Sequence, residues 1–391
     1  MRVQTILDET NYVSIISLKK QIANDLDYLA ARLNARRSLM AEAEKLDSLC
    51  HIQSLPEFYA AIFPGADFKE VIDFQRFSVY ELIKEISGFS AYMSGPGAKL
   101  LDWTLVRFQT ENLKVLIRAC MTKTPVEEIY GHLISLPKEL FLNVKGLASA
   151  ESPEVFAGMV PKGLLRNNLE KAIKIYHDYP RSFFFEAALD KGYFQGLIAR
   201  LENLPHEDLE IIKPMIYQEA DIFHLMLVAR GKFHYKLTPE MLRPLHVEGT
   251  RIPCALFADM LNDPDINASV ERISERILDI SPSGQGLIDG LTAADASILE
   301  GLAWKRFFRL ANLAFRRNHM GLGAIMGYVD LRRVEVANLI TISEGISSGI
   351  PADKIRERLI PRSTAVESYS DSYTKNAGHM TGGKEQKAEA K

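Results

Sequence analysis

One pattern of residues occurs three times in this chain and restricts the folds open to it. Each copy begins with a polar residue, continues with Asn or His and then leucine, and ends on a charged residue that is followed later by proline. The first copy is residues 109–118, with Asn112–Leu113 and Arg118, followed by Pro125. The second is residues 221–230, with His224–Leu225 and Arg230, followed by Pro239. The third is residues 335–344, with Asn338–Leu339 and Glu344, followed by Pro351. The leucines lie 112 and 114 residues apart. Solenoid repeats span only ~20–50 residues, so this period predicts three tandem helical domains of similar fold.

The residues after each leucine predict a turn and a second helix. Proline follows leucine by 12 residues in the first and third copies and by 14 in the second. Ile129 and Leu133 after the first proline match Ile355 and Leu359 after the third. Proline suits the first helical position, where its missing N–H needs no partner. Thr124 and Glu127 predict a capping box around Pro125.

Apolar residues recur at intervals of three and four nearly throughout, which is typical of amphipathic helices. No alternating run is bounded by turn residues, so strands have little support. The predicted fold class is all-α, with bundles at residues 1–148, 149–263 and 264–362. Residues 363–391 are small, polar and without periodicity, which predicts a disordered tail.

Composition excludes several classes of protein. The net charge of −3 argues against a nucleic-acid partner, which usually meets a strongly basic face. The three cysteines are far apart and form no CxxC pair, so neither a disulfide framework nor a zinc site is expected. No apolar run reaches the ~20 residues of a membrane span, and the first residues lack the apolar core of a signal peptide.

Motifs for chemistry are absent or incomplete. The glycines at 95–99 lack the spacing of a phosphate-binding loop, and those at 321–323 follow no predicted strand, so both predict turns between helices. No HExxH motif occurs, and the nine histidines show no metal-binding spacing. We therefore expect no catalytic residue, cofactor or metal.

The polar residue before each repeated leucine lies on an apolar helix face. A buried amide must be hydrogen-bonded, so Asn112 and Asn338 predict buried links that fix a helix–helix register. His224 takes the same position and is interpreted as structural rather than catalytic.

One local basic segment is a candidate partner-contact surface. Its members lie among aromatic residues and just after them: Lys305, Arg306, Arg309, Arg316, Arg317, Arg332 and Arg333. Such a surface suits acidic helix ends of a partner or anionic lipid headgroups. A solvated helix face is the alternative interpretation.

The third repeat and its surroundings resemble a known family. Residues 326–346, Gly349 to Pro351, and the segment from Ile355 to Pro361 resemble the C-terminal signature of the family of stalk-to-ring adaptor subunits in vacuolar and archaeal-type rotary ATPases, known as the C/d subunits. Residues 28–36, 185–194 and 217–221 resemble earlier parts of it in the same order. The resemblance covers residues 1–361. The chain departs from it at His224 and, more loosely, over residues 50–64.

The resemblance implies a non-catalytic, funnel-shaped protein of three helical bundles. Such a protein sits on the cytoplasmic mouth of the membrane proteolipid ring and holds the foot of the central stalk of the catalytic head. It implies no cofactor and leaves open whether protons or sodium ions are moved. The alternatives are a helical scaffold for another complex and an all-α enzyme, which would need a convergent polar pocket.

Overall fold

The computed structural model describes residues 26–278 and 296–361, and every regular element in these ranges is helical, which confirms the all-α prediction. The α-helices are α1 (Leu26–Arg37), α2 (Ala43–Cys50), α3 (Leu55–Ile62), α4 (Val71–Phe89), α5 (Gly95–Thr122), α6 (Val126–Ile129), α7 (Val144–Ala148), α8 (Pro153–Met159), α9 (Leu164–Ile175), α10 (Ser182–Leu201), α11 (His206–Met226), α12 (Pro239–Leu242), α13 (Cys254–Asn262), α14 (Ile266–Glu271), α15 (Ala296–Arg317), α16 (Leu322–Ser347) and α17 (Ala352–Arg356). Two π-helical segments cover Leu227–His234 and Ser274–Leu278.

The repeat copies lie on the long helices α5, α11 and α16, and the second copy continues from α11 into the π-helical segment Leu227–His234. The repeated leucines Leu113, Leu225 and Leu339 are all buried. Each of these helices follows another long helix, namely α4, α10 and α15 respectively. The described chain therefore contains three helix pairs, each with the repeat on its second member.

Each repeat helix ends near a residue with left-handed backbone geometry. Lys123 and Gly349 follow their leucines by ten residues, and Lys236 follows Leu225 by eleven. The proline comes two residues later in the first and third copies and three later in the second. The second copy therefore has one additional residue before its left-handed residue and one between that residue and the proline. The first lies in the stretch that contains the π-helical segment Leu227–His234, whose turns are wider than those of an α-helix.

The short helices after the repeated prolines do not all begin as predicted. Pro239 is the first residue of α12, but Pro125 and Pro351 have extended backbone and precede α6 and α17 by one residue. No side chain caps α6, so the predicted capping box is wrong. The hydroxyl of Thr124 lies 2.7 Å from that of Thr122 instead, because the left-handed turn at Lys123 brings these two residues together.

The repeated amides bind main chain rather than a second helix. The Nδ2 of Asn112 donates to the carbonyl of Ile134 at 2.7 Å, and the N–H of Ile134 donates to Oδ1 at 2.8 Å. Asn338 makes the same two bonds with Ile360, at 2.7 and 2.8 Å. The partner lies 22 residues ahead in both copies. Each amide therefore holds the segment that returns after the short helix, not a helix–helix register.

The helix pairs pack in a cycle. Each repeat helix packs against the first helix of the following pair: α5 against α10, α11 against α15, and α16 against α4. The last of these contacts joins the end of the described chain to its beginning. The three pairs therefore form a closed ring of six long helices, with one core that extends through all of them.

The two ends of the described chain share a second core. Helices α1 and α3 pack on α16, and α2 packs on α17. Aromatic residues of the early helices, such as Phe58 and Phe74, form this cluster with Leu339 and Ile355. The early helices thus lie with the third repeat rather than with the first.

The predicted domain boundaries lie between elements that touch. Helices α7 and α8, on either side of residue 149, pack on α5 and on each other, and α13 packs against α14 near residue 264. The division at 148 and 263 stays a prediction, as does the count of three bundles. The predicted tail at 363–391 lies outside the described residues.

No helix within residues 26–278 or 296–361 has both the length and the apolar character to cross a bilayer. The glycine segments of the sequence analysis lie at helix starts. Gly95 is the first residue of α5, with φ of 69°, and Gly321 precedes α16.

Replacing Asn338 by leucine should reduce the free energy of unfolding by about 1–3 kcal/mol, because the N–H and C=O of Ile360 lose their partners in a half-buried segment. Asn203→Leu is the matched control. Its amide is exposed and donates to the carbonyl of Ala199 in the helix just before it, so a change within about 0.5 kcal/mol is expected. Chemical denaturation of the two variants measures the difference. Equal effects would contradict the structural role of the repeated amide.

Candidate functional site: a buried ion cluster and an exposed basic stripe

Three equivalent repeat positions meet in one ion cluster. Arg107, Glu219 and Arg333 each lie five residues before the repeated Asn or His, on α5, α11 and α16. The Glu219 carboxylate accepts from the guanidinium of Arg107 and, at 2.5 Å, from that of Arg333. Equivalent positions of three similar helices can all meet only near the axis that relates them. The cluster therefore marks the centre of the ring.

A fourth charged side chain completes the cluster. Asp330, one turn before Arg333 on α16, accepts from its guanidinium at 2.6 Å. Two carboxylates thus face two guanidinium groups, and the formal charges balance. The exposed fraction of the side chain is only 4% for Glu219 and 11% for Arg333, but 28% for Arg107.

The two acids of the cluster differ in pKa because they differ in their cationic partners. Burial by itself raises the pKa of Glu219, but Arg333 and Arg107 together hold that pKa below its usual value. Burial raises the pKa of Asp330 to about 6, although Arg333 lies beside it and acts to lower it. Glu219 is therefore the firmly ionised acid of the cluster, since it has two cationic partners where Asp330 has one close partner.

The charge that ends each repeat copy binds the next helix pair. Arg118 on α5 forms a two-bond contact with Glu186 on α10, at 3.0 and 3.2 Å. Arg230 pairs with Glu300 on α15 through a single contact. These contacts give the repeated charge a physical role that the sequence pattern alone left open.

The third junction closes the ring. The Nε2 of Gln75 on α4 donates to Glu344 on α16 at 3.1 Å. Further along the same two helices, Glu85 accepts from Arg332 at 3.1 Å and from the hydroxyl of Tyr328 at 2.9 Å. The first and last helix pairs are thus joined at equivalent positions and by an additional ion pair.

The second repeat differs in its buried polar groups. The Nε2 of His224 accepts the N–H of Val247 at 2.9 Å, which replaces one of the two bonds that asparagine makes elsewhere. Its ring stacks on that of His246, with centroids 4.7 Å apart. Because burial lowers the pKa of His224, the neutral ring is favoured. The structure thus assigns His224 a structural contact at the position where the other copies have asparagine.

The structure divides the predicted basic surface into two groups. Lys305, Arg309, Arg316 and Arg317 are exposed on α15. Lys305, Arg309 and Arg316 follow one another at intervals of four and seven residues, so they lie along one face of that helix. We call these four residues the basic stripe.

The remaining three arginines face the interior. Arg332 and Arg333 are held in the ion pairs described above. Arg306 donates to the side chain of Gln218 at 2.5 Å, and burial together with the neighbouring Arg251 lowers its pKa to about 10. Acceptors on α4, α11 and α16 draw these three side chains inward, so the exposed part of the candidate surface is the basic stripe alone.

Sequence reasoning missed the residues that share the ion cluster with Arg333. Arg107 and Glu219 had no part in any predicted site. The signal was available, since both lie at the same offset from the repeated polar residue and carry opposite charges. Recognising it required knowing that the three repeat helices converge.

Three equivalent helix pairs, joined by polar contacts at matching positions, define a closed helical-repeat protein. Comparison with known proteins identifies the family to which this protein belongs. The profile of the ATP synthase (C/AC39) subunit family matches residues 29–358. The chain belongs to that family, which confirms the resemblance found in the sequence.

Curated relatives match along most of their length. The chain is 23% identical over 347 residues to the C subunit of the A-type ATP synthase of Methanothermobacter thermautotrophicus, which covers 85% of this chain and 87% of the relative. It is 22% identical over 358 residues to the C subunit of the A-type ATP synthase of Methanocaldococcus jannaschii, covering 85% and 86%. It is 22% identical over 361 residues to the C subunit of the V-type ATP synthase of Deinococcus radiodurans, covering 87% and 93%.

Replacing Glu219 by glutamine should reduce the free energy of unfolding by about 3–5 kcal/mol, because two guanidinium groups lose a buried counter-charge. The same substitution at Glu357, which pairs with Lys354 in an exposed contact, should cost under about 1 kcal/mol. Denaturant titrations of the two variants provide the comparison. A cost at Glu219 as small as that at Glu357 would show that the cluster does not hold the ring together.

Proposed function

We propose that this chain is a non-catalytic subunit of the central stalk in a V/A-type rotary ATPase. It joins the rotating stalk of the catalytic head to the membrane proteolipid ring, and so links ATP turnover to the transport of protons or sodium ions. Its partners are the other stalk subunits and the ring. It lies on the cytoplasmic face of the membrane as a peripheral part of the complex.

The family match over residues 29–358 carries this proposal. The curated relatives are named as C subunits of A-type or V-type ATP synthases. This chain spans more than four-fifths of the length of the three relatives compared above. The comparison is therefore with a whole C subunit rather than with one part of it.

The packing of the ring supports a mechanical role. A part that transmits torque must not deform under load, and close-packed interiors have low compressibility. Here the first and last helix pairs are joined, so no pair has a free edge at which to open. The Arg107–Glu219–Arg333 cluster connects all three repeat helices at one point.

The basic stripe supplies a surface for a partner. Lys305, Arg309, Arg316 and Arg317 are exposed, and the chain as a whole carries a net charge of −3. A local positive face on a mildly acidic protein favours acidic helix ends or loops of a neighbouring subunit. We propose that the stripe meets the ring or the stalk.

Removal of the subunit tests the coupling role. A complex that lacks this chain should still hydrolyse ATP in its catalytic head, while ATP-driven ion transport into sealed vesicles should vanish. Both activities are measured on the same preparation, and adding back the purified subunit should restore transport. Full ATP-driven transport in a complex verified to lack the chain would overturn the proposal.

Neutralising the stripe tests the contact surface alone. Changing its four residues to alanine should weaken assembly at low salt. The difference from the wild type should shrink at high salt, because exposed charge pairs are screened over ~8–10 Å and then contribute little in the wild type either. The matched control replaces four other exposed lysines by alanine: Lys145, Lys162, Lys171 and Lys174. Co-purification of the complex at low and high salt measures the effect. Equal assembly of both variants would remove the stripe from the interface while leaving the coupling role intact.

A further inference from the structure

The second repeat holds a histidine at a position where the other two copies have leucine. Leu133, His246 and Leu359 each come one residue before the main-chain group that bonds to the repeated Asn or His. All three side chains are buried. Leucine therefore fills this position in two copies of the same motif, and packing alone does not explain an imidazole in the third.

The ring of His246 is fixed with one nitrogen available. Its Nε2 lies 2.8 Å from the carbonyl oxygen of Ile252. A carbonyl can only accept, so Nε2 carries a proton, and in the neutral ring Nδ1 keeps its lone pair. Nδ1 is buried and has no hydrogen-bond partner, while only 4% of the side chain is exposed. The buried nitrogen is thus oriented as a ligand, with Nε2–H held by main chain as in many metal-binding histidines.

Two further ligand types converge on this nitrogen. A carboxylate oxygen of Glu248 lies 3.5 Å from Nδ1. Cys254, the first residue of α13, places its sulfur in the same group, and all three ligand atoms lie within 4.8 Å of one another. Two ligands of a tetrahedral zinc ion, with bonds of ~2.0–2.3 Å, are separated by about 3.3–3.8 Å. The His–Glu distance fits this already, and an exposed cysteine can approach by rotation of its side chain.

We propose that His246, Glu248 and Cys254 bind one zinc ion, with water as the fourth ligand. Imidazole, carboxylate and thiolate are all ligands that zinc accepts. This reverses the expectation from the sequence, in which the lack of a CxxC pair and of metal-binding histidine spacing argued against a zinc site. The site does not depend on the proposed coupling function.

The lysine that interacts with Glu248 is held by main chain. The ammonium group of Lys191 is directed to the carbonyl of Pro244 at 2.7 Å. Burial lowers the pKa of Lys191, and Glu248 acts in the opposite direction.

Cobalt(II) provides a direct probe, because its absorption spectrum reports both thiolate ligation and tetrahedral geometry. Titration of the reduced full-length protein should produce a thiolate-to-cobalt charge-transfer band and intense visible bands that saturate at one equivalent. Addition of zinc should abolish them. Cys254→Ser should eliminate the charge-transfer band, and His246→Leu and Glu248→Gln should each weaken cobalt binding at least about tenfold.

Two controls make the outcome decisive. His177→Leu removes an exposed histidine elsewhere and should leave cobalt affinity unchanged, as should Glu240→Gln. His246→Leu introduces the residue that the other repeats carry, so it should fold. If it does not, the two exposed ligands still test the site. Absence of a charge-transfer band in the wild-type protein, its persistence in Cys254→Ser, or unchanged affinity in Glu248→Gln would overturn the proposal.

Discussion

The buried carboxylate of Glu219 is the contact on which the arrangement of the three repeat helices depends. It accepts from Arg107 on one side and Arg333 on the other, so a single acid binds three helices that are more than 100 residues apart in sequence. An unpaired charge at this depth would carry a large desolvation cost. The helices must therefore keep positions in which both guanidinium groups reach the carboxylate. The three-helix geometry follows from an electrostatic requirement as well as from apolar packing.

Around that centre, the same repeat positions serve the same purposes in each pair. A polar residue holds the returning main chain, a leucine fills the core, and a terminal charge or amide contact binds the following pair. The polar contacts between pairs lie at the junctions of the ring. A subunit that transmits rotation would benefit from this distribution, because load at one junction is shared with the other two. The closing contact between Gln75 and Glu344 makes the sharing complete.

The second repeat shows how a motif can keep its structure while its chemistry changes. His224 still holds main chain at Val247, but with one bond in place of two. His246 replaces a leucine and introduces a buried nitrogen without a partner. The π-helical segment Leu227–His234 holds part of the longer connection of this copy. The second repeat thus contains histidines and additional residues that the other two copies lack. The proposed zinc site lies in this repeat.

Sequence by itself determined the helical class, the three repeat copies and the family, because these depend on local periodicity and on the order of short motifs. It also identified Asn112, Asn338 and the repeated leucines as residues of the interior. Only the tertiary structure decided which charges are internal. Arg316 and Arg333 look alike in the sequence, but one is exposed and the other faces Glu219 from a distant helix. The partners of a charge depend on which helices pack together, and that packing joins both ends of the chain. The physical reason is that periodicity records which face of a helix is buried, whereas ion pairs and ring closure depend on contacts between segments far apart in sequence.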